Sequence, residues 1–125
     1  MILDTCALLY LPSGDRRMSA GTRKRLAAER TVWFCAISAF EIAMKYRSGK
    51  LELPLTPSRW IAAVAKRYSL TEVPLDVALC SAAALLPPLH KDPCDRFIIA
   101  TAKQLQVPVV TTDERFRHYG VETFC

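Results

Sequence analysis

The sequence lacks any apolar run approaching the roughly 20 residues that a membrane-spanning helix needs. Nor does it open on a basic patch followed by an apolar stretch. Met1-Ile2-Leu3-Asp4 puts a carboxylate there instead, so the chain reads as soluble and cytoplasmic, with no membrane partner. C-x-x-C pairs and histidines at zinc spacing are missing too. The five cysteines (Cys6, Cys35, Cys80, Cys94, Cys125) are scattered and odd in number. That argues against a disulfide framework and fits a reducing compartment, where Cys serves as a small hydrophobe. No internal repeat, low-complexity tract or Gly/Ser-rich linker divides the 125 residues, which make one domain, 1–125. Histidine is scarce. Neither of the two, His90 and His118, is evidently placed to act as a general base.

What the chain has is the composition of a packed globular domain, 51% apolar and 23% charged. Seventeen Lys and Arg oppose twelve Asp and Glu, a net charge of +5. A basic balance favours a polyanionic partner. If several of the acids serve a metal site, the remaining surface is more basic still.

Apolar runs bounded by turn signals alternate with helical patterns. Ile2-Leu3 reads as the end of a short strand, and Leu8 to Leu11 continues apolar to a break at Pro12-Ser13-Gly14-Asp15. Ser19 predicts an N-cap for a basic helix from Ala20 to Glu29, and Thr31 to Ile37 a buried parallel-type strand. Ser38 with Glu41 three residues on matches a capping box for a helix that stops at Gly49. Pro57–Tyr68 predicts a helix, Leu70–Leu75 a strand, and Val77–Leu86 a helix ended by Pro87-Pro88. Asp92-Pro93 starts another helix; Val107–Thr111 and Val121–Phe124 are further strands. The alternation predicts an α/β fold, a mainly parallel sheet covered on both faces.

The placement of the acids carries the chemistry. Asp4 directly follows the first strand, and Glu41 lies in the first turn after the second. Asp95 lies in the first turn of the helix after Pro93, and Asp113 follows the Val109–Thr112 run. A parallel sheet gathers strand ends and helix starts along one edge, where ligands bind. Carboxylates packed together repel one another unless a hard cation such as Mg²⁺ or Mn²⁺ joins them. Such a site suits metal-assisted phosphodiester hydrolysis. Taken singly, each acid also has a structural reading. Asp4 can end a strand, Glu41 can complete the capping box or pair with Lys45, and Asp92 is a standard N-cap before Pro. Asp95 can favour the helix dipole, and Asp113 can cap a short helix from Glu114 to Tyr119.

Over essentially its whole length the chain resembles the PIN domains, specifically the VapC-type toxins of type II toxin–antitoxin pairs. The resemblance rests on Leu3-Asp4-Thr5 with Leu8-Leu9-Tyr10, and on Ser38-Ala39-Phe40-Glu41-Ile42-Ala43-Met44-Lys45 leading to Gly49-Lys50-Leu51. It continues in His90-Lys91-Asp92-Pro93-Cys94-Asp95-Arg96-Phe97-Ile98-Ile99-Ala100 and Thr111-Thr112-Asp113-Glu114-Arg115-Phe116. The resemblance implies a three-layer α/β/α fold and a Mg²⁺-dependent endoribonuclease, with Mn²⁺ as a substitute. It places the catalytic, metal-holding acids at Asp4, Glu41, Asp95 and Asp113. Thr111, Asp92, Thr5 and Ser38 are supporting residues. It further implies an RNA substrate, a homodimer, and a cognate antitoxin that covers the site.

Two departures stand out. Cys94 occupies a position where this subgroup commonly has Phe, which alters packing under Asp95. Only three residues precede Asp4, so either the natural start lies upstream or the first strand is trimmed. Arg96 is a candidate RNA-phosphate contact or a partner for an acid. Two other functions share the same residues. One is a PIN scaffold that binds a protein partner with weak or no nuclease activity. The other is a metal-dependent nuclease on DNA, or a phosphatase, since carboxylate–metal chemistry does not choose its substrate.

Overall fold

The computed structural model describes residues 1–125. Five short strands form its sheet: β1 (Ile2–Leu3), β2 (Val32–Cys35), β3 (Leu70–Val73), β4 (Val109–Val110) and β5 (Thr123–Phe124). All neighbours pair in parallel, in the order β3-β2-β1-β4-β5. The sheet is therefore wholly parallel. Parallel neighbours need crossovers, supplied by α1 (Thr5–Ser13), α2 (Ala20–Ala28), α3 (Ile37–Arg47), α4 (Pro57–Arg67), α5 (Val77–Leu85) and α6 (Pro93–Leu105). A 3₁₀ turn, Glu114–Tyr119, joins β4 to β5.

Alternation along the strands divides the core into two layers. Leu3, Phe34 and Val110 pack with Leu8 and Leu11 of α1, Leu26 of α2, Ile42 of α3, and Trp60, Ile61 and Val64 of α4. Ile2, Cys35 and Val109 pack on the other face with Leu79 and Ala83 of α5, Ile98 and Ile99 of α6, and Phe116. These layers make the three-layer α/β/α sandwich. With both faces covered, the inner strands β1, β2 and β4 carry continuous apolar runs, whereas β3 at the sheet edge exposes Thr71 and Glu72.

The chain lays β1, β2 and β3 down in one direction, then returns to place β4 on the other side of β1. The crevice between β1 and β4 is a topological switch point, where an open parallel sheet accepts ligands beyond its carboxyl edge. Asp4 leaves β1 there, and Thr111 and Asp113 leave β4 there. Because α6 runs back before β4, its N-terminus, with Asp95 in the first turn, reaches the same edge.

Local details differ from the sequence reading. The Leu8–Leu11 run is a helix, α1, with Asp4 as its N-cap and Gly14 in the left-handed conformation at its end. Apolar residues on nearly every side had masked a helical period, and Pro12 falls in the last turn. Ser38 does not cap α3. That helix starts at Ile37 after Ala36, and Ser38 lies inside it with no exposed surface. Glu41 is thereby freed from the capping-box role. β3 stops at Val73 because Pro74 interrupts it, and β4 has two residues where five were expected.

Candidate metal centre

Asp4 is fixed through both carboxylate oxygens. Oδ1 accepts the Ala7 N–H at 2.7 Å, starting α1. Oδ2 accepts the Thr111 hydroxyl at 2.5 Å, joining the ends of β1 and β4. The same Thr111 oxygen accepts the Asp113 N–H at 3.0 Å, so one hydroxyl sets the spacing of two acids. Beside Asp4, the Thr5 hydroxyl meets the Ser38 hydroxyl at 3.0 Å in a fully packed contact. That contact pins the start of α1 to α3, the helix that carries Glu41.

The other acids fall in two groups. Ligand atoms of Glu41, Asp92 and Cys94 lie within 4.8 Å of one another, as do those of His90, Asp95 and Asp113. Asp95 Oδ2 is 2.7 Å from His90 Nε2, and Asp113 Oδ2 is 3.7 Å from the same nitrogen. Asp113 also takes a bidentate grip from Arg115, with the shortest bond 2.7 Å from Nη2 to Oδ2. Asp92 Oδ1 accepts the Cys94 N–H at 2.9 Å and caps α6.

Proton affinities record the crowding. Burial pushes Asp4 up to about 6, with Glu41 and Asp113 adding to the rise and the bonds from Thr111 and Ala7 opposing it. Asp95 is raised by burial and then by Asp92, against the pull of His90. Asp113 goes the other way, held below the usual carboxylate range chiefly by Arg115. The Cys94 thiol is pushed up to about 12 by burial and by Glu41, Asp92 and Asp95. Most of the donors gathered here are carboxylate oxygens, a set matched to a hard ion. Negative charge confined without a counter-ion is costly, and a bound cation would relieve that cost.

A fold with this order of strands and this acidic edge can be compared with known proteins. Residues 1–122 match the PIN domain family. The chain belongs to that family. Its sequence is similar to that of ribonuclease VapC22 of Mycobacterium tuberculosis, at 26% identity over 119 residues, covering 95% of this chain and 91% of that one. In structure the PIN domain resembles VapBC2 from Rickettsia felis, solved with a DNA fragment from their promoter. The TM-score is 0.71 at 15% identity, covering 98% of this chain and 96% of that one. It also resembles FitAcB from Neisseria gonorrhoeae, with a TM-score of 0.63 at 19% identity over 99% and 96% of the two chains. At such identities the structural likeness establishes the fold.

Within this PIN domain, the four acids singled out in the sequence share one edge, with Thr111 between two of them. Asp92 stands beside them, although its side chain serves as a helix cap. Thr5 and Ser38 meet each other and brace the elements beneath. Arg96 is placed differently from either role expected of it. Its guanidinium donates to the carbonyls of Ala84, Leu86, Pro87 and His90 and contacts the Tyr119 hydroxyl. It ties down the loop before α6 and pairs with no acid. Two residues at the site escaped the sequence reading. His90 and Arg115 lie within the motif blocks that carry the resemblance, but no role follows for either from the sequence.

Proposed function

We propose that this PIN domain is a Mg²⁺-dependent endoribonuclease, with Mn²⁺ as a substitute, acting as the toxin of a toxin–antitoxin pair. The observation that carries the reading is the convergence of Asp4, Glu41, Asp95 and Asp113 at the β1/β4 switch point. Similarity to a protein named as a ribonuclease supports RNA as the substrate. A formal charge of +5, with five acids gathered at one edge, leaves a basic remainder that favours a polyanion.

Asp4, Glu41, Asp95 and Asp113 would hold the cation through carboxylate oxygens. The chemistry such an ion supplies when bound is activation of a water and neutralisation of charge on the phosphate under attack. The protein's part is to present the carboxylates ionised and fixed. Thr111 holds Asp4 Oδ2 with its hydroxyl proton, favouring the charged form that burial disfavours. Arg115, 60% exposed at the side chain and seated on Asp113, presents a guanidinium at the rim where a phosphate oxygen of RNA can be received. We assign Arg96 to holding the loop before α6 rather than to RNA, since both terminal nitrogens are engaged by backbone carbonyls and Tyr119.

Two surfaces fit the expected partners. A groove of about 610 Å³, lined by Leu9, Tyr10, Leu51, Leu53, Leu55 and Trp60, offers an antitoxin segment an apolar seat, with Arg17 and Arg67 balanced at its margin by Asp15 and Glu52. Its wall α1 starts at Asp4, so a segment seated there can extend over the acids. The fold neighbours VapBC2 and FitAcB support a protein partner of this kind. For a homodimer, the outer face of α5 and the loop beyond it expose Val77 (84%), Leu85 (84%) and Leu89 (55%) with no charged side chain among them. A second copy of the chain seated along α5 would cover these side chains.

Purified protein, free of antitoxin, should be offered RNA, DNA and a small phosphate ester side by side with Mg²⁺. Cleavage of RNA alone is expected. Equal cleavage of DNA would sink the ribonuclease assignment, and no cleavage by folded protein would favour the protein-binding scaffold.

A further inference from the structure

We infer that His90 is a positioning residue, not a ligand: its Nε2–H holds the Asp95 carboxylate and spaces it from Asp113, while Tyr119 and Arg96 fix the histidine itself. This rests on the reading of the acids as a cation site.

The geometry of the ring decides between the two roles. The Asp92 N–H donates to His90 Nδ1 at 3.4 Å, so Nδ1 serves as the acceptor and Nε2 is the ring nitrogen turned, as donor, toward the acids. Nε2 lies 2.7 Å from Asp95 Oδ2 and 3.7 Å from Asp113 Oδ2. One N–H therefore faces two acids that arrive on different elements, α6 and the segment after β4. A nitrogen carrying its proton toward carboxylates has no lone pair to give a cation. What it can do is orient the oxygens that receive one, as groups behind a metal ligand commonly do.

The surroundings are built to hold this ring still. His90 is 4% exposed, and its imidazole meets the edge of Phe116, the centroids 6.2 Å apart. Its backbone is fastened at both ends. The His90 N–H donates to the Tyr119 hydroxyl at 2.8 Å, and its carbonyl accepts from Arg96 Nη1 at 3.2 Å. Tyr119 in turn donates to the Pro87 carbonyl at 2.7 Å and accepts from the Leu89 N–H at 3.2 Å. The loop from Leu86 to Lys91 has no secondary structure of sheet or helix to set its path. Arg96 and Tyr119 take over that task, and the side chain they deliver to the acids is His90. This gives Arg96, Tyr119 and the scarce histidine one common purpose.

The test is Mn²⁺ binding, read by electron paramagnetic resonance and calorimetry on the full chain, with folding checked by circular dichroism. Wild type is compared with His90→Ala, His90→Gln and Tyr119→Phe. Gln is the informative replacement, because its amide nitrogen can stand near the place of Nε2 and donate to Asp95. His90→Ala is expected to weaken Mn²⁺ binding by roughly 10–100-fold, as loss of a group orienting a ligand does. His90→Gln should recover most of that loss, and Tyr119→Phe should show a smaller weakening in the same direction. Nitrogen hyperfine coupling to Mn²⁺ in the wild type would make His90 a ligand and overturn the inference. So would wild-type affinity in folded His90→Ala, or a Gln variant no better than Ala. Should His90→Ala fail to fold, wild-type affinity in Tyr119→Phe overturns it instead. Failure of the wild type to bind Mn²⁺ at all would remove the cation site, and the inference with it. Tight wild-type binding indifferent to His90 would remove the inference alone.

Discussion

Thr111 Oγ1 donates to Asp4 Oδ2 at 2.5 Å across 107 residues of sequence, and this bond is the seam of the site. It joins the carboxyl ends of two neighbouring parallel strands, and the same oxygen receives the Asp113 N–H. Thr111→Val keeps the shape and removes donor and acceptor together. The expected cost is about 1–3 kcal/mol of stability, the penalty for leaving buried polar groups unpaired. Mg²⁺ affinity should fall by roughly 10-fold or more. Thr111→Ser should retain most of both. Urea unfolding and calorimetry on the three proteins check this, and a Val variant equal to wild type would contradict it.

The pH dependence of stability follows from Asp4. Its carboxyl is raised from an ordinary 3.8 to about 6, so without a cation its charged form is disfavoured in the folded state. Such a group weakens the fold above about pH 6. The penalty fades as pH falls through 6 and is gone below about 4, where the acid is protonated whether folded or not. Asp4→Asn should therefore stabilise metal-free protein at pH 7.5 by about 1–3 kcal/mol, since each pKa unit corresponds to about 1.4 kcal/mol. The advantage should disappear toward pH 4. Mg²⁺ should reverse the order by stabilising wild type more than the variant. Unfolding curves in EDTA and in Mg²⁺ at several pH values test the sign, and an advantage independent of pH would refute it.

Much of this site was legible in the sequence because acids at strand ends need only the topology to bring them together. Asp4, Asp95 and Asp113 follow directly from where the strands stop and α6 starts. Glu41 was equally visible, although for a partly mistaken reason. The spacing predicts Ser38 as a cap, whereas the cap position falls two residues earlier, at Ala36, and Ser38 is buried against Thr5. The role of His90 could not be read in the same way. Its contacts depend on the path of an irregular loop, set by Tyr119 from about 30 residues away and by Arg96 from the next helix, and no local pattern encodes that path. Helix α1 was hidden by the apolar residues that surround it.

Arg96 gives a prediction opposite to that of a phosphate contact. Its planar fork serves several carbonyls at once, which an ammonium cannot reproduce. Arg96→Lys should lower stability by more than about 1 kcal/mol and speed amide exchange in residues 84–92. RNA affinity of the folded variant should change little if metal is saturating. A large loss of RNA binding without loss of stability would restore the phosphate role.

The α5 face predicts the assembly. Leu85→Glu sets a charge among exposed apolar side chains and should convert a dimer to monomers without unfolding them. Sedimentation velocity on wild type and variant decides. A wild type that sediments as a monomer at micromolar concentration would contradict the proposed homodimer.

The central claim, that the gathered acids make a metal-dependent ribonuclease, is tested most directly by digesting cellular RNA with purified protein. Reactions with Mg²⁺, with EDTA, and with Asp95→Asn in Mg²⁺ are run together. Discrete fragments in the first reaction and none in the other two are expected. Cleavage that persists in EDTA, or in folded Asp95→Asn at the wild-type rate, would contradict the account.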